Sequence, residues 1–113
     1  SPNQHLGGNP TPGLWMMGGT RAVLDRSPSG ALGRALAACA DYDDAVEAAA
    51  AVTCPVTLIL AGQDRMTPRP GAQSLIDALS DPTVVELPET GHMAMIEEPD
   101  VVRKAIFDHL ARC

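Results

Sequence analysis

Two short apolar runs constrain this chain more than any other feature. They are Val56-Thr57-Leu58-Ile59-Leu60-Ala61 and Thr83-Val84-Val85-Glu86-Leu87. The first is apolar at successive positions rather than alternate ones. That suits a parallel strand covered by helices on both faces. Between the runs, Thr67-Pro68 reads as the N-cap and first position of a helix. The helix would bury Ala72, Leu75, Ile76 and Leu79, and Asp81-Pro82 would turn the chain into the second strand. A strand–helix–strand unit of this length predicts a right-handed parallel crossover. A last helix starts near Pro99 and presents Val102, Ile106 and Leu110 to the core. The fold class is therefore α/β.

Upstream, Leu32, Ala35, Leu36 and Cys39 fall on one face of an amphipathic helix. Asp41 is placed to cap the next helix, Tyr42 to about Ala51, with Asp43 and Asp44 in its first turn. Its alanines, Ala48 to Ala51, favour helix by propensity. Cys54-Pro55 ends that helix. Residues 1–30 are rich in Gly and Pro, which punctuate rather than build regular structure. They enclose one apolar knot, Leu14-Trp15-Met16-Met17.

The chain has 113 residues, enough for one domain or a piece of one. Its net charge of −6 argues against nucleic acid or anionic lipid as a partner. No apolar run approaches the roughly 18 residues that a membrane helix requires. The start, Ser1-Pro2-Asn3-Gln4-His5, has no signal-like stretch. Cys39, Cys54 and Cys113 follow no metal-binding spacing and read as buried or terminal free thiols in a reducing compartment, so a cytoplasmic location is expected. No metal or cofactor is implied.

The chemistry lies where the apolar runs end. Gly62-Gln63-Asp64 follows the first and Gly91-His92 the second. Ligands of open α/β sheets bind at the carboxyl ends of the strands. A carboxylate there can accept the imidazole Nδ1–H, fix the tautomer and stabilise an imidazolium. The histidine can then act as general base and later as general acid. Either residue alone reads as a turn or surface residue; it is the pairing that points to catalysis. His5, in the Gly/Pro-rich entry, and His109, within the last helix, are weaker candidates.

The stretch from Cys54 to Pro68 resembles the strand and loop that carry the acid in α/β-hydrolase fold enzymes. The stretch Leu87-Pro88-Glu89-Thr90-Gly91-His92-Met93-Ala94-Met95-Ile96-Glu97-Glu98-Pro99 resembles that family's histidine loop and the start of its final helix. The two motifs agree jointly in order and separation. Residues 1–40 resemble, less specifically, the cap or lid region that precedes the acid strand. The resemblance implies residues 41–113 as the C-terminal βαβα portion of the core. It also implies Asp64 and His92 as acid and base of a hydrolase acting on an ester or a related bond.

The family orders its triad as nucleophile, acid, histidine, with the nucleophile on a G-x-S-x-G elbow. None of Ser1, Ser27, Ser29, Ser74 and Ser80 has glycines at both flanking positions. The resemblance thus implies a C-terminal fragment whose partner is the missing N-terminal part of the same protein. Such a fragment is expected to be inactive alone. Ser, Cys and Asp all stay open as the nucleophile. Flexible thioethers suit a pocket for an apolar small molecule, here one lined by Trp15, Met66 and Met93. A fragment would leave the strand at Val56–Ala61 with an unpaired edge, and self-association through that edge is expected. A non-catalytic α/β scaffold or association module is the rival reading. A nucleotide-binding unit is disfavoured, because no Gly-rich phosphate loop follows a strand.

Overall fold

The computed structural model describes residues 16–113. Three helices come first: α1 (Met16–Arg26), α2 (Ala31–Asp41) and α3 (Ala45–Ala50). Strand β1 (Thr57–Ala61) leads through a 3-10 turn, Arg69–Ala72, into helix α4 (Gln73–Ala78). Strand β2 (Thr83–Leu87), a short helix α5 (Ala94–Glu97) and helix α6 (Pro99–Leu110) complete the order. The two strands form a parallel sheet, running from Thr57 opposite Thr83 to Ala61 opposite Leu87. Both strands and their parallel pairing thus agree with the apolar pattern, with the first starting one residue later than expected.

The helical expectations fare less evenly. Gly18-Gly19 lie inside α1 rather than breaking the chain. Each costs about 1 kcal/mol relative to alanine, and the helix-favouring run from Arg21 to Arg26 carries the segment through. Helix α2 forms where the periodicity placed it, but its apolar face is not buried: Leu32, Leu36 and Cys39 are all exposed. Asp41 ends α2 instead of capping α3, which starts later at Ala45, with Asp44 as N-cap. Thr67 does not cap α4. The segment opens instead as a 3-10 turn with Pro68 at its cap and Pro70 in its first turn, where a missing N–H is tolerated.

Among the described residues the buried apolar ones are few and mostly small: Ala49, Leu87 and Ala105. Helix α6 therefore packs on the sheet through the face of Val102, Ala105 and His109, while Ile106 and Leu110 are exposed. The expected stripe followed the large side chains, whereas close helix–strand approach favours the small one. His109 Nδ1 lies 2.8 Å from Thr57 Oγ1, and Arg112 donates to Thr83 Oγ1 at 2.7 Å. These bonds fasten the end of the chain to the starts of both strands. An apolar groove lined by Pro55, Val56, Ile59 and Ile106 runs beside that junction, toward the amino end of β1. All three cysteines are free and exposed, so the burial expected of Cys39 and Cys54 does not occur; neither lies where another element covers it. Asp81 takes a left-handed φ of 52°, which Asp tolerates better than most residues, at the expected turn before Pro82. Among the described residues, no helix is long and apolar enough to cross a membrane.

Candidate active site

Parallel pairing brings the carboxyl ends of β1 and β2 side by side, and their loops are joined by main-chain bonds. The Gly62 N–H donates to Leu87 O at 2.9 Å, and the Gln63 N–H to Thr90 O at 2.8 Å. The approach is so close that a Cβ on Gly62 would meet Pro88 O at 2.5 Å and Pro88 Cα at 2.8 Å. Only glycine fits there, because the obstacle is backbone and cannot swing away.

This joint sets Asp64 against His92. Asp64 Oδ2 lies 2.9 Å from His92 Nδ1. The carboxylate is further held by the Met66 N–H at 2.9 Å and the Thr67 N–H at 2.8 Å, both on Oδ1. The Thr67 hydroxyl donates to Oδ2 at 2.7 Å and also lies 3.4 Å from His92 Nδ1. Two donors on each oxygen use the four acceptor positions that a carboxylate offers. The loop Asp64-Arg65-Met66-Thr67 thus folds around its own carboxylate, as Asx turns do.

Partial burial acts to raise the Asp64 pKa. The bonds from the Thr67 N–H, His92, the Thr67 hydroxyl and the Met66 N–H outweigh it and lower the value from 3.8 to about 2. Asp64 is therefore ionised at neutral pH and accepts a hydrogen bond from Nδ1–H. The tautomer that follows leaves His92 Nε2 free as an acceptor. Exposure divides the pair: the Asp64 side chain is 9% accessible and that of His92 39%. The acid is enclosed and the imidazole edge faces outward, so the arrangement can draw a proton from a group brought to Nε2.

No serine hydroxyl or thiol among the described residues bonds to His92. Met66 is 69% exposed and Met93 half-buried, while Trp15 lies outside the described residues. His109 serves the junction at the opposite end of the strands, and His5 lies outside the described residues. Among the described residues no cluster of three or more His, Cys, Asp or Glu is placed to hold a metal ion.

Thr67 and Glu97 are the site residues that the sequence reading missed. The spacing Asp64-x-x-Thr67 carried the signal for the first, since a carboxylate reaches N–H groups two and three positions on. For Glu97 the sequence carried no such signal: a carboxylate after the run Met93-Ala94-Met95-Ile96 reads as an ordinary charged residue.

No curated protein and no solved structure matched the chain. A family model described as the alpha/beta hydrolase family matches residues 2–105. With that match spanning nearly the whole sequence, and with helices flanking a parallel sheet, the chain belongs to the alpha/beta hydrolase family.

Proposed function

We propose that this chain supplies the acid and the base of a hydrolase whose nucleophile and oxyanion-hole donors lie in a longer protein. In this reading Asp64 orients His92, and His92 Nε2 takes the proton of a Ser or Cys nucleophile, or activates water against the ester formed on an Asp nucleophile. The substrate is an ester or a related carbon–heteroatom or C–C bond. Residues up to about 40 belong to its cap, and Met66 and Met93, together with Trp15 from the cap sequence, are its candidate residues for binding an apolar substrate. The observation that carries the reading is the Asp64–His92 contact of 2.9 Å on a carboxylate with all its acceptor positions used. An acid–histidine pair alone cannot replace the missing nucleophile and oxyanion hole.

The test compares the 113-residue chain with the longer reading frame that contains it, using p-nitrophenyl esters. The longer protein is expected to turn over and to lose about four orders of magnitude or more on His92→Ala. The short chain is expected to be inactive. Ester hydrolysis by the short chain that disappears with His92→Ala would overturn the division of labour proposed here.

The same reading extends to the sheet. Among the described residues β1 has one strand partner, β2. Its other edge offers unpaired N–H and C=O groups, and such an edge recruits another strand. Self-association of the short chain through this edge is expected, and sedimentation at high micromolar concentration reads it directly. A strictly monomeric mass counts against the edge as a contact.

A further inference from the structure

The most enclosed carboxylate of the described chain is not Asp64. Glu97 is only 3% exposed, at the end of α5. Its Oε2 accepts the Gly91 N–H at 3.0 Å. Its own N–H donates to Met93 O at 3.0 Å. The second is the main-chain bond of α5, while the first is the side chain's own: its carboxylate ties the helix end back to the residue before His92. Its Oε1 is the one buried side-chain oxygen or nitrogen among the described residues without a hydrogen-bond partner. Burying a carboxylate oxygen without a partner is unfavourable. It survives where the surrounding structure gains something else from that side chain.

The glycine before His92 tells the same story. A Cβ on Gly91 would sit 2.9 Å from Glu97 Oε2 and 3.5 Å from Oε1. Gly91 has no left-handed backbone to explain it. Its lack of a side chain is what lets the carboxylate reach the N–H.

We propose that Glu97 is a positioning residue for His92, a clamp whose carboxylate fixes the backbone just before the imidazole to the helix that follows it and so sets Nδ1 against Asp64. The catalytic importance of this role rests on the acid–histidine function proposed above; the clamp itself is a property of the loop. Glu97 touches neither the imidazole nor any reacting group. Its side chain acts through the Gly91 N–H. Holding a site's supporting shell in place is what keeps such a pair within a fraction of an ångström of working geometry.

The experiment is proton and nitrogen NMR of the His92 ring in the 113-residue chain, near neutral pH and at low temperature. The readouts are the low-field Nδ1–H resonance and the Nδ1 and Nε2 nitrogen shifts, assigned with His92→Asn. Glu97→Gln keeps a carbonyl acceptor for the Gly91 N–H and is expected to keep the low-field resonance. Glu97→Ala removes the acceptor, and Gly91→Ala crowds it; both are expected to lose or broaden that resonance and move the nitrogen shifts toward a mixture of tautomers. If Glu97→Ala does not fold, Gly91→Ala against Glu97→Gln decides. Folded Glu97→Ala or Gly91→Ala chains with a wild-type His92 signal would overturn the clamp. Asp64→Asn separates the two ideas: a wild-type signal there sinks the acid–histidine pair, whatever Glu97 does.

Discussion

The two ends of the described chain both leave large apolar side chains exposed, but they differ in what they bury. Helices α1 and α2 are amphipathic, yet α2 has no buried residue and Val23, Leu24, Leu32 and Leu36 are all largely exposed. From β1 onward Ile106, Phe107 and Leu110 are exposed as well, but the small Ala105, the loop residue Thr90 and Glu97 at the end of α5 are buried. The first region shows that helical periodicity forms a helix whether or not its stripe finds a core. The second shows that close backbone contact, more than large side chains, orders the site.

That contrast can be broken at Gly62. Gly62→Ala is expected to destabilise the chain by about 3 kcal/mol, because the added methyl meets the Pro88 backbone. Urea unfolding followed by circular dichroism reads the loss; a midpoint equal to wild type would mean that the two loops do not touch as described. Acid comes next. Asp64 has its pKa lowered from 3.8 to about 2 in the fold. Its contribution is therefore complete above the unfolded value and fades as pH falls through the folded one. After allowance for solvent near the pair, the loss is about 1 kcal/mol. Asp64→Asn should flatten that part of the stability–pH curve, with parallel curves as the contrary result.

The helical region responds in the opposite sense and more weakly. Gly33 lies within α2 and a Cβ there meets nothing within 4 Å. Gly33→Ala is expected to raise the helix signal and to stabilise α2 by about 0.7 kcal/mol. Leu36→Ser removes an exposed side chain and should change the unfolding midpoint by less than about 0.5 kcal/mol. A large loss on Leu36→Ser would show that α2 is covered in solution.

The sheet was legible because its signal is a run. Val56–Ala61 and Thr83–Leu87 are apolar and β-branched enough to name two strands, and parallel pairing follows from the helix between them. Asp64 and His92 were legible as a pair because each follows one of those strands. What escaped was the use of short polar side chains. Thr67 looks like an N-cap, but its hydroxyl bonds to Asp64 and caps no helix. Glu97 looks like an ordinary charged residue, since sequence alone does not show a carboxylate turning back six positions to a backbone N–H. The stripe of α6 was misread by one position because periodicity weighs Ile106 above Ala105, and steric fit weighs them the other way.

The main-chain bonds from Gly62 and Gln63 to the β2 loop carry a kinetic meaning. They tie the acid loop to the histidine loop at the backbone, so neither can swing without the other. Whatever group meets His92 Nε2 encounters two side chains whose mutual freedom was already lost when the strands paired. Docking then has to align one rigid unit rather than two mobile ones, and the entropy lost at that moment is correspondingly smaller.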